Sequence, residues 1–207
     1  RQEAHTRAVE LLRTVRLPDP ERQLQRYPHQ LSGGMRQRVV LAMAVACRPR
    51  VLIADEPTTA LDVTVQAQIL DLIAELSDTT GMAVVLITHD LGMVARYADR
   101  VVVMYAGRAV EDASAIDVFA DPAHPYSHDL LNSRPGVGGV RQRRLTVIAG
   151  SPPDMQQLPE GCAYAPRCRR AVDRCTAEAP PLEEIAPGRW AACWRAGPPT
   201  ADEEGQR

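Results

Sequence analysis

The chain has 207 residues, 45% of them hydrophobic and 24% charged, with a formal net charge of −2. That composition belongs to a globular protein large enough to bury a core and hold one or two domains. The near-neutral charge excludes a nucleic-acid binder held by bulk electrostatics, and the longest apolar runs, such as VVLAMAVAC, reach about half a membrane span.

All 24 basic residues are arginine; the chain contains no lysine. The first residues, RQEAHTRAVELL, are charged and amphipathic, unlike a signal peptide. Ala8, Leu11, Leu12 and Val15 recur at helical spacing and predict a helix over 3–16, closed by Pro18 and Pro20. A turn at YPHQ (27–30) leads into LSGGMRQR (31–38). There Ser32 is suited to cap a helix, and Gly33 and Gly34 let the backbone come close to a ligand. A helix start with bare amides and a hydroxyl is a ready anion site, although the same tract also reads as an ordinary Ser-capped helix. The helix is predicted over 34–47, with Arg36, Gln37 and Arg38 at its start. Val39, Val40, Met43, Ala46 and Cys47 are expected inward, Cys47 as a core residue, and Pro49 is the stop.

VLIADE (51–56) is a short apolar run ending in two carboxylates, as in a buried strand of a parallel sheet. Val65, Ile69, Leu72, Ile73 and Leu76 predict a helix over 64–77. AVVLITHD (83–90) is a second buried strand, LGMVARYAD a helix, and RVVVMYAGRAVE (100–111) two antiparallel strands turning at Ala106-Gly107. Alternation of strand and helix predicts an α/β fold with a parallel sheet. In such sheets the chemistry lies beyond the carboxyl ends of the strands, where Asp55, Glu56 and His89 fall. An Asp there can hold Mg²⁺ beside phosphates, and the next Glu can orient or deprotonate water. Each residue alone also fits a bland role, a solvated strand end or a hydrogen-bonded structural histidine.

From about residue 121 the chain becomes rich in proline and loops, and it ends in a polar stretch suited to a frayed tail. Cys162, Cys168, Cys175 and Cys193 follow the pattern C-x5-C-x6-C-x17-C. Thiolates gathered by loops favour a soft metal. Disulfides are the alternative in an oxidising compartment. Zinc prefers tighter C-x2–4-C knuckles, and the wide spacing suits a [4Fe–4S] cluster better. Arg167, Arg169 and Arg170 would offset thiolate charge there, or form a solvated basic loop.

In this order and spacing, LSGGMRQR, VLIADE, TALD (59–62) and ITHD (87–90) resemble the nucleotide-binding subunits of ATP-binding cassette (ABC) transporters, over roughly residues 1–130. The resemblance implies a partial P-loop-type nucleotide-binding domain over 1–120 and a small loop-rich four-cysteine extension over 121–207. It implies that Ser32, Gly33, Gly34 and Gln37 face the ATP of an opposing subunit, that Asp55 serves Mg²⁺, and that Glu56 polarises the attacking water. His89 would contact the γ-phosphate, and Asp62 would bridge the dimer. HPYSHDLL (124–131) and GSPPDMQQLPEGCAYAPRC (150–168) resemble the dipeptide, oligopeptide and nickel importers, which implies a [4Fe–4S] cluster, or zinc, on the four cysteines. Ala113 stands where such relatives carry glycine, so a different turn is expected there.

The implied partners are a second nucleotide-binding subunit, identical or related, and membrane permease subunits. An external peptide-binding protein is an indirect partner, and no nucleic acid is implied. The implied place is the cytoplasmic face of the membrane, peripherally. A phosphate loop of the form G-x-x-x-x-G-K-[ST] cannot exist in a chain without lysine. The resemblance places that loop about 100 residues or more before Arg1, so the chain reads as the C-terminal part of such a subunit, without ATP binding in its own site when alone. The competing readings are a non-transport ABC ATPase and an inert remnant acting as a metal-binding interaction module.

Overall fold

A computed structural model describes residues 1–133 and 147–197. The chain divides into two compact units, Arg1–Asp90 and Leu91–Arg207.

The first unit begins with α1 (Gln2–Thr14), the short α2 (Pro20–Gln23) and a 3-10 turn over Pro28–Gln30. Then come α3 (Gly33–Val45), β1 (Val51–Asp55), α4 (Val63–Thr80) and β2 (Ala83–Ile87). The apolar stripe of α4 does what its spacing predicts: Ile69, Leu72, Ile73 and Leu76 are buried. Gly81, with φ 68°, ends that helix in the left-handed conformation a β-carbon disfavours. Arg38 ties three helical segments together, its guanidinium donating to Val15 O at 2.9 Å and to Gln68 Oε1 at 3.2 Å.

α3 departs from the expectation. It buries Leu41 and Ala42, while Val40 is 55% and Met43 71% exposed, and Cys47, beyond the helix end, is exposed rather than core. The run VVLAMAVA is apolar on every side, so its periodicity carries no directional information. The strands differ from expectation too. β1 and β2 pair in parallel, Val51 opposite Ala83 through Asp55 opposite Ile87. Only one face of the pair is covered: Leu52 and Ala54 are buried, whereas Val51, Ile53, Val85 and Ile87 are exposed.

The second unit holds α5 (Leu91–Tyr97), β3 (Arg100–Tyr105), β4 (Arg108–Ser114), α6 (Ala115–Ala120) and α7 (Pro125–Asn132). A 3-10 turn over Ala165–Arg167, α8 (Asp173–Ala177), β5 (Glu183–Ala186) and β6 (Arg189–Ala191) complete it. β3 and β4 form the expected hairpin, with Ala106 at φ 48° and Gly107 at φ 76° in the turn. Ala113 lies within β4 opposite Val101, fully buried, so the position is strand and not turn.

The sheet order is β3-β4-β6-β5. Glu111 and Asp112 of β4 pair with Ala191 and Trp190 of β6, so the cysteine-bearing segment joins the sheet and residue 120/121 lies inside one compact unit. Val103, Tyr105, Val110, Ala113, Val118 and Tyr164 form its core, with Cys162 and Cys168 packed against it. The anticipated tail falls mostly on 198–207, outside the described residues.

A buried polar joint holds α7 to the sheet. Glu111, 0% exposed, accepts from the backbone amides of Ala123 at 2.7 Å and His124 at 2.9 Å. His124 Nδ1 in turn accepts from the Tyr126 amide at 3.0 Å. His124 thus caps α7 through the Tyr126 amide, and Glu111 holds the two residues that lead into the helix. Burial drives the His124 imidazole down to about 4, so the ring stays neutral and its Nδ1 stays an acceptor.

Candidate functional site

The polar residues at the ends of β1 and β2 converge within the first unit. Parallel pairing brings both strand ends to one edge, as the α/β rule requires. The Glu56 amide donates to Ile87 O at 2.9 Å, extending that pairing by one residue. Glu56 then takes φ 43°, which swings its side chain out of the strand alternation.

His89 Nδ1 lies 3.0 Å from Glu56 Oε1, and Thr59 Oγ1 donates to Glu56 Oε2 at 2.9 Å. The Thr59 bond and then the His89 bond hold the carboxyl below the usual range, so Glu56 is ionised at neutral pH. Both side chains remain open to solvent, His89 at 84% and Glu56 at 46%. An ionised carboxylate with spare lone pairs beside an imidazole can accept a proton from water and orient it. Asp55 is exposed at the adjacent strand end, where it could contribute an oxygen to a cation.

The LSGG segment forms the helix start its sequence suggests. Ser32 caps α3, its hydroxyl accepting from the Met35 amide at 3.3 Å. Asp62 does the same for α4, Oδ1 accepting from the Val65 amide at 3.0 Å. The two helix starts pack together: a β-carbon on Gly34 would stand 2.7 Å from Val65 Cγ1, and one on Gly33 would stand 3.1 Å from Leu61 Cδ2. Gly34 is thus required by contact inside the chain as well as suited to a ligand outside it. Gln37 is half-buried three residues further along α3.

Glu56 and His89 are therefore brought together, and so are the 32–34 and 61–65 segments. Thr59, Leu61 and Val65 were not singled out for these contacts. A Thr three residues after a strand-end Glu is the one signal that could have found Thr59.

In the second unit the cysteines are gathered without forming a ligand shell. All five thiols are free, and among the described residues no group of three or more His, Cys, Asp or Glu side chains is placed to hold a metal ion. Yet Cys162 N donates to Cys175 O at 2.8 Å, and a β-carbon on Gly161 would lie 2.2 Å from that oxygen. Burial, then the charges of Cys193, Cys162 and Cys175, push the Cys168 thiol up to about 11. The four groups thus feel one another's charge. Burial raises the Cys162 and Cys193 thiols as well, and Cys162 and Cys168 pack against the core of the unit as small apolar groups.

The ABC transporter family profile matches residues 2–59, and the profile for the C-terminal region of oligopeptide/dipeptide transporters matches residues 110–175. The chain is 57% identical over 195 residues to the "Probable peptide ABC transporter ATP-binding protein y4tR" of Sinorhizobium fredii, covering 94% of this chain and 58% of that protein. It is 52% identical over 193 residues to the oligopeptide transport ATP-binding protein OppD of Salmonella typhimurium, covering 93% of this chain and 57% of the other. It is 52% identical over 187 residues to the dipeptide transport ATP-binding protein DppD of Escherichia coli, covering 90% and 57%. Thus it spans somewhat more than half the length of the curated relatives it matches. Among solved structures it resembles cbiO1 of Clostridium perfringens, part of the ABC transporter complex cbiONQ, with a TM-score of 0.51 and 32% identity, covering 57% of this chain and 46% of that one.

Proposed function

We propose that the chain is part of an ATP-binding subunit of an ABC transporter of the oligopeptide/dipeptide group, and that it supplies the water-activating and signature parts of an ATPase that energises peptide import. The carrying observation is the Glu56 carboxylate, ionised, exposed and held between Thr59 and His89. Bound ATP and Mg²⁺ would supply the scissile phosphate bond and neutralise its charge. The donor set fits them: a helix start with a hydroxyl at Ser32, and exposed carboxylates at Asp55 and Glu56.

In this reading Glu56 would take the proton of the water that attacks the γ-phosphate, with ADP as the leaving group, and His89, which lies at Glu56 Oε1, would contact that phosphate. Asp55 would hold Mg²⁺. Ser32, Gly33, Gly34 and Gln37 would face the nucleotide of an opposing subunit, and Asp62 would stand at the junction. With no lysine in these 207 residues, a phosphate-cradling lysine must come from outside them. Residues 1–120 then belong to the nucleotide-binding domain and 121–207 to its extension.

Among the described residues no helix is long and apolar enough to cross a membrane. Membrane permease subunits, with a second nucleotide-binding subunit, would hold this one peripherally at the cytoplasmic face, and peptide would arrive from an external binding protein. The test is ATP-dependent uptake of labelled peptide into proteoliposomes carrying the full-length subunit and its permease. Uptake should require both, and full uptake without this subunit would overturn the reading.

The second part of the proposal concerns Cys162, Cys168, Cys175 and Cys193 as ligands of a [4Fe–4S] cluster. Four free thiols within one another's electrostatic reach support it. Protein purified without oxygen should be brown, with iron and sulfide in equal amounts, and should bleach when any of the four is replaced by Ser. Colourless protein with one bound zinc ion would replace the cluster by structural zinc.

A further inference from the structure

The loop from Glu56 to Asp62 is built to deliver one hydroxyl. Thr59 N donates to Glu56 O at 3.2 Å and Leu61 N donates to Thr58 O at 3.2 Å, two successive turns. Gln66 Nε2 of α4 also donates to Thr58 O at 3.2 Å, and Thr58 is buried. Ala60 sits at φ 63°, a conformation that costs a residue with a β-carbon and that the surrounding contacts must hold. The loop is anchored to β2 at one end, through Glu56 N and Ile87 O, and to α4 at the other.

The product of this arrangement is the bond from Thr59 Oγ1 to Glu56 Oε2, on the carboxylate oxygen opposite to the one His89 approaches. Held by His89 alone, a half-exposed glutamate could still swivel about a single contact. Held at both oxygens, the carboxylate plane has one orientation, and each oxygen keeps lone-pair capacity for water. We propose that Thr59 is a positioning residue for Glu56, its hydroxyl locking Oε2 so that the carboxylate is aimed before nucleotide arrives. This rests on the reading of Glu56 as the water-activating group. Thr59 is exposed, so its replacement leaves the core intact.

The test uses Thr59→Val, which keeps the shape and removes the donor, and Thr59→Ser, which keeps the donor. In the full-length subunit the valine variant should lose about 10- to 100-fold in kcat with KM nearly unchanged, and the serine variant should restore kcat because it returns the donor to Glu56 Oε2. Normal turnover in Thr59→Val where Glu56→Gln is inactive overturns the proposal, and so does a serine variant as slow as the valine one. If Glu56→Gln is itself fully active, the reading of Glu56 fails and the positioning role of Thr59 falls with it.

Discussion

Glu56→Gln in the full-length subunit should lower ATP turnover by about 10²- to 10⁴-fold and leave nucleotide binding intact. Glutamine matches the size of glutamate, and its Oε1 can still accept the Thr59 hydroxyl that Oε2 of Glu56 now accepts. What it cannot do is take a proton from water. The loss should therefore fall on the chemical step, visible as slow phosphate release at saturating ATP. Calorimetric titration should give the parent affinity, because no contact to the nucleotide is removed. The bonds from Thr59 and His89 show why the effect should be large: they fix both carboxylate oxygens, so the base that is lost is one already oriented. Turnover within a few-fold of the parent would show that another group activates the water.

Glu111→Ala should cost the second unit about 2–5 kcal/mol. The side chain is fully buried, and its two oxygens are the acceptors for the Ala123 and His124 amides at the start of α7. Alanine would leave both donors without that acceptor in a place water does not reach, and would leave a cavity as well. Both tryptophans, Trp190 and Trp194, lie in this unit, so urea unfolding followed by their fluorescence reads it directly. Glu111→Gln should lose less, since its amide oxygen can still accept.

Acid should weaken the same joint through His124. Its folded value near 4 lies below the ordinary 6.5, so the unfolded chain takes up the proton first as pH falls. The contribution is complete above about 6.5 and is lost between there and about 4. Asp129, which favours protonation, and Arg170, which opposes it, flank the ring. A midpoint unchanged by Glu111→Ala would mean that α7 is held by its apolar contacts alone.

Much of the architecture was legible in the residues because it is local. The stripe Ile69, Leu72, Ile73, Leu76 has one apolar side and so names both its helix and its buried face. Ala106-Gly107 names its hairpin because the turn needs positive φ at both positions. Ser32 announces a helix start because it carries an acceptor three residues before the amide it caps. The candidate carboxylate and histidine were legible for a related reason, since parallel strands place their ends on one edge of a sheet.

The tertiary structure decided what depends on neighbours distant in the chain. Which side of α3 is buried could not be read, because Val40 and Met43 are as apolar as Leu41 and Ala42, and only packing separates them. The pairing of β4 with β6 joins residues some 80 positions apart, and no periodicity encodes such a partner. Nor does the sequence say that Glu111, in a strand, is the acceptor for α7, or that Gly34 is held to glycine by Val65 as well as suited to an anion. Up to β4 the chain by itself determined the main elements, their order and the chemical groups at their ends, because backbone preference and side-chain spacing act within a few residues, whereas α6, α7, α8, β5 and β6 lie in what read as a loop-rich extension. Burial, partner choice and the clamp on Glu56 were settled only when the fold brought distant groups within hydrogen-bonding and van der Waals range, where desolvation and close packing set the energies.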